Sequence, residues 1–557
     1  MNSHQFIQKN AHPAFAKGWE KFAKEKWKAK NTTQAIAAYQ HALSLDETLA
    51  TAWCDLGILG SANSHIASAE QAYQKALALK PEWQLGIEFM QCFRYLLNVY
   101  DTPEEVLDCY QKFEAALSEF YNKFQTLSTD EIKGLYHWIG YVGMFLLPYQ
   151  GVATRHLQKI YGQIIHQVMT TVIPEGKQRP PMPELAADQP LRVGVVCGFF
   201  RRQTVFKLML DNWIKYLNKD KIRIYAYYPR DYSDECTEKI KRHCYQFSMG
   251  NGSTEAWFKK IREDNLHLLI FPEIGMDLEV VKLASLWLAP IQCMSWGHPD
   301  TCGLPTIEYF LSSELMEPEE GDLDYCETLI RLKNLGIQFS PHQEDEREPI
   351  TREEFGFKPD TVIYGCLQTW YKYLPHFDYV YPEIAAAVGN CQFVFITHLM
   401  SQHSRQRFEG RLERAFAAKN LDWREYCFLS RPLNFYGFTS MLHCLDIFLD
   451  SIEWSGGCTT LEALHYAQVP IVTTPGRFMR GRHTAGILTQ LGLPELIAPN
   501  VSSYIQKAIE LGQNVAYRQF IHEKIQTHLP RVMADQEGMK SLEAFILQTV
   551  NSYGESR

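Results

Sequence analysis

The sequence predicts an α/β protein in which two doubly wound, Rossmann-like lobes follow an all-α N-terminal region. Three observations support this prediction. The start of the chain repeats every 34 residues, a proline-rich segment follows at residues 173–190, and two series of apolar runs then alternate with helical segments. At 557 residues the chain is too long for one hydrophobic core, so several domains are expected.

The N-terminal repeat is visible in residues of the same type spaced 34 apart. Trp19 and Trp53 are one such pair, and Tyr39 and Tyr73 are another. This period is typical of TPR-like (tetratricopeptide) helical hairpins. Such stacks bind extended peptides or brace a neighbouring domain, and two repeats favour bracing because about three are usually needed to stand alone. We predict repeats over 1–85 and a helical region with a linker over 86–185.

The two lobes are predicted from short apolar runs of the kind that parallel sheets bury. A charged stretch, residues 340–356, separates two sets of runs, which places one lobe at 186–345 and the other, with C-terminal helices, at 346–557. The predicted strands are 191–198, 222–229, 267–273, 289–296 and 309–313 in the first lobe, and 362–368, 393–398, 426–431, 447–451 and 470–476 in the second. Ligands of open α/β sheets lie beyond the carboxyl ends of the strands, so site residues are expected there.

Composition narrows the classes of function. A net charge of −9 argues against a nucleic-acid partner, which would require a basic face. The chain starts without a secretory signal and has no apolar run long enough for a membrane span, and its 14 cysteines form no CxxC pair, so we expect a cytoplasmic protein with reduced thiols. No metal-binding motif occurs, and no metal or other cofactor is expected.

The segment with the strongest chemical signal is 450–464. A predicted strand ends at Asp450, Gly456 and Gly457 form a turn, and Cys458 opens a helix. The residues of interest in this helix are Cys458, Thr459, Thr460 and Glu462. Glycines let a ligand approach the backbone, and the free N–H groups of a helix start suit a diphosphate. A plain capped helix, with Thr459 as cap and Glu462 completing a capping box, fits the pattern equally well.

A second candidate group follows the predicted strand 362–368. Lys372 lies between aromatic residues and would neutralise charge on a leaving diphosphate, although a solvated surface lysine is an alternative. Gln368 and Thr369 belong to the same segment, and Arg431 ends another predicted strand of this lobe. We include these four residues in the predicted site.

Two loops of the first lobe carry further candidates. His298 and Asp300 follow the predicted strand 289–296 and would face the cleft, although a histidine before a proline is often structural. Arg201 and Arg202 follow the predicted strand 191–198 and would meet anionic groups or serve as rim charges.

Together these segments resemble glycosyltransferase family 41, the group of O-GlcNAc transferases and Spindly proteins, with some resemblance to its bacterial cytoplasmic N-glycosyltransferase branch. Its most specific pieces are 455–476, 289–303 and 200–205. The resemblance implies a GT-B fold with an acceptor-side N-terminal lobe and a nucleotide-sugar-binding C-terminal lobe. It further implies a UDP-sugar donor and inverting transfer to Ser or Thr of a protein, with Asn as an alternative.

Residue by residue, the resemblance assigns Gly456 to Thr460 to the diphosphate and Glu462 to the ribose. It assigns Lys372 to the leaving group and Phe438 to the place of an imidazole that stacks on uracil. Arg482 matches an arginine that follows the Pro475–Gly476 turn.

The sequence also departs from the family pattern. Gln203 stands where some members carry a histidine once proposed as a base, which leaves His298 and Asp300 as the nearest candidates for that role. Cys458 replaces a common threonine. These departures keep open a non-catalytic scaffold or nucleotide-sugar sensor, and a GT-B enzyme acting on a small molecule or lipid also stays possible. The sugar (GlcNAc, glucose or fucose), UDP versus GDP, the acceptor and the oligomeric state stay open.

Overall fold

A computed structural model describes residues 15–28, 31–62, 66–184, 189–397 and 401–555. The rest of the chain, including parts of the predicted repeat region and residue 398 of one predicted strand, lies outside the described residues. The chain divides into two compact units. One contains Met1–Val142 and Thr397–Arg411, and the other contains Gly143–Ile396 and Leu412–Arg557. The four predicted domain boundaries stay a prediction.

The described part of the first unit is helical. Helices α1 and α3 begin 34 residues apart, at Ala16 and Ala50, and α2 and α4 do the same, at Thr32 and Ile66. Small buried residues such as Ala38 and Ala72 let neighbouring helices approach closely. The helices are α1 (Ala16–Lys28), α2 (Thr32–Leu45), α3 (Ala50–Ala62), α4 (Ile66–Leu79), α5 (Gln84–Cys92), α6 (Pro103–Phe124) and α7 (Thr129–Leu135).

The N-terminal lobe of the second unit is a seven-stranded parallel sheet with the order β3-β2-β1-β4-β5-β6-β7. Its elements are α8 (Arg155–Val172), β1 (Leu191–Val196), α9 (Asp211–Tyr216), β2 (Ile222–Tyr228), α10 (Glu235–Lys241), β3 (Gln246–Met249), α11 (Thr254–Glu263), β4 (Leu268–Phe271), α12 (Leu278–Ala284), β5 (Ile291–Ser295), β6 (Tyr309–Ser313) and β7 (Thr328–Leu332). The five predicted strands are confirmed. The sequence missed β3 and β7, which lie at the two edges of the sheet, where residues are less buried and apolar runs are weaker.

The C-terminal lobe is a five-stranded parallel sheet with the order β10-β9-β8-β11-β12. Its five predicted strands are confirmed, with shorter bounds. Its elements are α13 (Arg352–Phe355), β8 (Val362–Cys366), α14 (Val380–Val388), β9 (Cys391–Phe395), α15 (Gln402–Ala417), α16 (Trp423–Tyr426), β10 (Cys427–Leu429), α17 (Phe435–His443), β11 (Ile447–Leu449), α18 (Cys458–Glu462), β12 (Ile471–Val472), α19 (His483–Leu491), α20 (Val501–Gln513), α21 (Val515–His528) and α22 (Pro530–Met533). The last helix, α23 (Glu537–Glu555), packs on the N-terminal lobe, where Phe545 contacts the ring of Tyr309 and Glu543 pairs with Lys221.

Helix α15 begins within the first unit, since residues up to Arg411 belong there. In that unit Arg407 pairs with Glu105, and the buried guanidinium of Arg411 donates to the carbonyl oxygen of Tyr100 at 3.1 Å. The first unit is therefore built from two separate stretches of the chain. Among the described helices, none combines the length and the apolar character that crossing a bilayer requires.

Candidate functional site

The loop after β11 is fixed by one buried carboxylate, that of Asp450. Its oxygens accept hydrogen bonds of 2.7 Å from the backbone N–H of Gly456 and from the hydroxyls of Ser455 and Thr473. Burial raises the pKa of Asp450, and these three donors compensate part of the cost of placing the group in the interior. Asp450 therefore holds the glycine-rich turn in one conformation.

The two glycines of this turn have different surroundings. A Cβ atom at Gly456 would lie 2.4 Å from Gln368 Nε2 and 2.7 Å from Thr460 Oγ1, which is closer than real side chains approach. A Cβ atom at Gly457 would find its nearest neighbour, His483 Nδ1, at 3.7 Å. Gly456 is thus required by packing, whereas Gly457 leaves space next to the backbone.

Helix α18 starts as predicted at Cys458, and it continues as a π-helical turn, Ala463–Ala467. The capping-box alternative is wrong, because the N-cap residue is Gly457 and no side chain bonds to the helix start. The hydroxyl of Thr460 is turned inward to the carbonyl oxygen of Gly456 at 3.0 Å. The backbone N–H groups at this helix start therefore have no side-chain cap.

Lys372 and the glycine-rich turn lie next to each other. The Lys372 ammonium donates to Gln368 Oε1 at 2.7 Å and to the carbonyl oxygen of Ser455 at 3.4 Å. The amide of Gln368 in turn donates to Thr459 Oγ1 at 2.5 Å. Burial lowers the pKa of Lys372 to about 8, and among the described residues no carboxylate forms an ion pair with it. The alternative of a solvated surface lysine is therefore wrong.

Glu462 has a partner that the sequence did not suggest. Its buried carboxylate pairs with the ammonium of Lys207, which lies in a π-helical turn, Phe206–Leu210, of the N-terminal lobe. The contact therefore joins the two lobes. A lysine inside the apolar run FKLML was the one sequence signal that could have singled out Lys207.

His298 lies within a cluster of aromatic rings. Its ring centroid is 5.2 Å from that of Phe145 and 6.0 Å from that of Trp454, while Tyr149 stacks on Trp454 at 3.6 Å and contacts Tyr371 at 4.6 Å. Burial lowers the pKa of His298 to about 3, so its imidazole is neutral. The structure thus places His298 close to the Lys372 segment, where aromatic side chains surround its ring.

Asp300 is surrounded by hydrogen-bond donors. It pairs with Arg480 at 3.1 Å and accepts bonds from Thr154 at 2.8 Å and Gln158 at 2.9 Å. Asp300 and Arg480 are each 3% exposed, and Asp300 belongs to the N-terminal lobe while Arg480 belongs to the C-terminal lobe. Both carboxylate oxygens are committed to structural contacts.

The other predicted residues lie on separate elements of the two lobes. Thr369 precedes the turn that carries Lys372, Phe438 is half-buried in α17, and Arg431 is exposed beyond β10. Arg482 donates to the carbonyl oxygen of Gly476 at 3.2 Å. Gln203 accepts from the backbone N–H of Val205 at 2.6 Å and so stabilises its own turn. 

The two arginines of the first loop contact aromatic rings. Arg201 lies 5.5 Å from the ring of Tyr232, and Arg202 lies 5.7 Å from the ring of Phe435. Arg202 also lies 3.7 Å from a carboxylate oxygen of Glu235, so its guanidinium is paired at the surface.

One residue that faces the turn was missed. His483 opens α19, and its ring contacts that of Trp296 at 5.2 Å. Burial and the nearby charge of Lys372 lower the pKa of His483 to about 3, so it presents a neutral ring to Gly457. Its position directly after Arg482 was the available signal. In the described parts of the chain, no group of three His, Cys, Asp or Glu side chains is arranged to hold a metal ion.

Comparison with known proteins places this site in a family. Residues 347–534 match the model of glycosyl transferase family 41. SPINDLY of Arabidopsis thaliana is 29% identical over 262 residues, which cover 46% of this chain and 27% of SPINDLY. A protein of Actinobacillus pleuropneumoniae, UDP-glucose:protein N-beta-glucosyltransferase, is 25% identical over 49% of this chain and 42% of its own length. The chain thus spans about a quarter of the length of the SPINDLY relatives and less than half of the bacterial one.

A solved structure extends the likeness to the whole chain. A lysine-to-methionine mutant of the Thermobaculum terrenum O-GlcNAc transferase superposes with a TM-score of 0.71 at 19% identity, over 98% of both chains. This likeness confirms the predicted GT-B fold, with two Rossmann-like lobes and an all-helical N-terminal region. Residues 347–534 thus belong to glycosyltransferase family 41, and the chain as a whole shares the GT-B architecture of the Thermobaculum protein.

Proposed function

We propose that this chain is an inverting glycosyltransferase that moves a sugar from a UDP-sugar to a protein side chain. One observation carries the proposal: the ammonium of Lys372 lies beside an uncapped helix start, and its hydrogen-bond partners among the described residues are the neutral oxygen atoms of Gln368 and Ser455. Among the described residues no carboxylate lies within ion-pair distance of this half-buried cation, although the charge of Asp450 acts on it from farther away. An anionic ligand at this place would offset the remaining cost of burying the charge.

The proposed donor site is built around this cation. The diphosphate lies against Gly457 and the backbone N–H groups at the start of α18, where the helix dipole favours negative charge. The hydroxyl of Thr459 is held toward the site by Gln368, which also positions the Lys372 ammonium. One side-chain amide therefore orients two donors toward the same phosphates.

In the proposed reaction the acceptor nucleophile attacks the anomeric carbon from the face opposite the diphosphate, and its proton passes to an oxygen of the departing diphosphate. As the sugar–phosphate bond breaks, charge builds on the leaving oxygen, and Lys372 stabilises it. One such donor is typically worth about 3–4 kcal/mol of the barrier. The contacts of Asp300 and the low pKa of His298 favour supporting roles for these two residues over proton abstraction.

The relatives support the substrate classes and leave the sugar open. The name of SPINDLY specifies UDP-N-acetylglucosamine and a peptide, and that of the Actinobacillus protein specifies UDP-glucose and N-linkage to protein. Both names combine a UDP-sugar with a protein acceptor. We therefore propose a UDP-sugar donor, with Ser or Thr as the acceptor residue and Asn as the alternative.

The test is transfer by the full chain. Purified protein is incubated with cellular proteins and with UDP-GlcNAc, UDP-glucose or GDP-fucose in turn, and acceptors are analysed by intact mass and peptide sequencing. We expect a mass increment of one sugar with one donor, absent in Lys372→Met and retained in Lys419→Met, an exposed lysine of the same lobe. Binding of UDP without transfer would favour a sensor or scaffold, and transfer only to small molecules or lipids would refute a protein acceptor.

A further inference from the structure

The ion pair between Lys207 and Glu462 is the most buried contact of opposite charges at the proposed donor site. Lys207 is 8% exposed and Glu462 is 5% exposed, and the two residues are contributed by different lobes. A buried pair of this kind is costly to break from one side, because the remaining charge keeps its desolvation penalty. Each member therefore needs a new partner if the pair opens.

Glu462 is the one anion that pairs with Lys207 in the described part of the chain. Its ammonium lies 5.7 Å from the ring of Phe435, a ring that also faces the guanidinium of Arg202 at 5.7 Å. Lys207 also interacts with the Cys458 side chain, the first residue of α18. Burial raises the pKa of Cys458 to about 12, so this thiol carries no charge.

The charges around the turn would be rearranged by a bound donor. The diphosphate brings about two negative charges to the start of α18, next to Cys458, and Lys372 supplies a single positive charge. Lys207 is a further ammonium that interacts with Cys458 at this helix start, but Glu462 holds it in an ion pair. A nucleotide offers both missing partners, since its ribose hydroxyls can donate to Glu462 and its phosphates can accept from Lys207.

We propose that Lys207 is a second diphosphate-binding cation, and that donor binding exchanges the partners of the Lys207–Glu462 pair. Glu462 then accepts hydrogen bonds from ribose hydroxyls, and Lys207 turns to the phosphates beside Cys458. This inference rests on the proposed nucleotide-sugar site. It gives a role to a lysine that lies in an apolar helical turn. In the free protein, each member of the pair then takes the place of the donor group that the other member will bind.

The experiment compares UDP with uridine, which lacks phosphates. Affinities are measured by calorimetry on the full chain for the wild type, Glu462→Gln and the double variant Glu462→Gln/Lys207→Met. In Glu462→Gln the ammonium of Lys207 is present without its carboxylate, and in the double variant both charges are gone. We expect the ratio of UDP to uridine affinity to be lower in the double variant than in Glu462→Gln by about tenfold or more.

Two further variants control the comparison. Lys207→Arg keeps the charge and should keep the wild-type ratio within a few-fold. Lys259→Met removes an exposed lysine of the same lobe and should change neither affinity. Equal changes in UDP and uridine affinity would show that Lys207 acts only through the fold and would overturn the inference. If the wild type binds UDP but the double variant has the same ratio of UDP to uridine affinity as Glu462→Gln, the inference is overturned and the proposed function is left intact. If the wild type binds neither UDP nor GDP, both are overturned.

Discussion

Two loops of the protein follow strand ends and carry predicted catalytic residues, yet their side chains are used differently. Asp300, in the loop after β5, has an arginine and two further donors around its carboxylate. Lys372, after β8, has an amide oxygen and a carbonyl oxygen and no carboxylate in an ion pair among the described residues. The first group is satisfied by the protein itself, whereas the second is where we propose that an anionic ligand binds.

This contrast shows what the location of a residue just after a strand can and cannot predict about its role. It places a polar side chain at the edge of the sheet where ligands bind, but it does not reveal whether the protein has already paired that side chain. Perturbing the two loops should therefore separate stability from catalysis.

The largest effect is expected for stability. Asp300→Ala leaves the buried guanidinium of Arg480 without its carboxylate, which should lower the free energy of unfolding by about 3–5 kcal/mol. Urea denaturation monitored by fluorescence measures this change. Asp322→Ala, which breaks an exposed pair with Arg331, is the matched control and should cost about 0–1 kcal/mol. Equal losses in the two variants would contradict a structural role for Asp300.

The next effect concerns catalysis. Lys372→Met should lower the transfer rate by about a hundredfold or more, because the charge on the leaving group is no longer stabilised. The melting temperature should stay equal or rise, since a buried ammonium with a lowered pKa destabilises the free protein. Transfer assays and calorimetry on the same preparation test both parts. A near-wild-type rate would remove Lys372 from the mechanism.

The two glycines of the turn provide a matched pair. In Gly456→Ala the new methyl group pushes Gln368 and Thr460 away from the turn, which should lower the free energy of unfolding by roughly 1–3 kcal/mol. Gly457→Ala has room in the free protein and should melt like the wild type, but its methyl group should weaken UDP binding by about tenfold. Differential scanning fluorimetry with and without UDP separates these outcomes. Unchanged UDP affinity in Gly457→Ala would place the diphosphate elsewhere.

The smallest effect is a pH dependence of donor binding. The ammonium form of Lys372 is present below its pKa of about 8 and is lost above it. UDP affinity should therefore be constant near pH 7 and fall by up to roughly tenfold per pH unit above pH 8. Titration calorimetry from pH 7 to pH 9 measures this, and Lys372→Met should show a flatter profile. A wild-type affinity that rises with pH would contradict the assignment.

Much of this architecture was predictable from local sequence. Buried runs marked ten of the twelve strands in the described residues, and the rule on strand ends brought Lys372 and Gly456 to the same place. Contacts between distant residues were not predictable. Arg480 lies 180 residues from Asp300, and Lys207 lies 255 residues from Glu462. No local pattern encodes such pairs, because they depend on how two separately folded sheets meet.

Because Thr397–Arg411 belongs to the first unit, that unit is discontinuous in the sequence. A truncation that ends at Val142 would discard Arg407 and Arg411, and with them the partners of Glu105 and of the Tyr100 carbonyl. Conversely, removing residues 1–142 would remove the residues that the start of α15 contacts. Neither unit can therefore be separated from the other by a single cut in the chain. Exchange of segments at one junction would break contacts within the first unit.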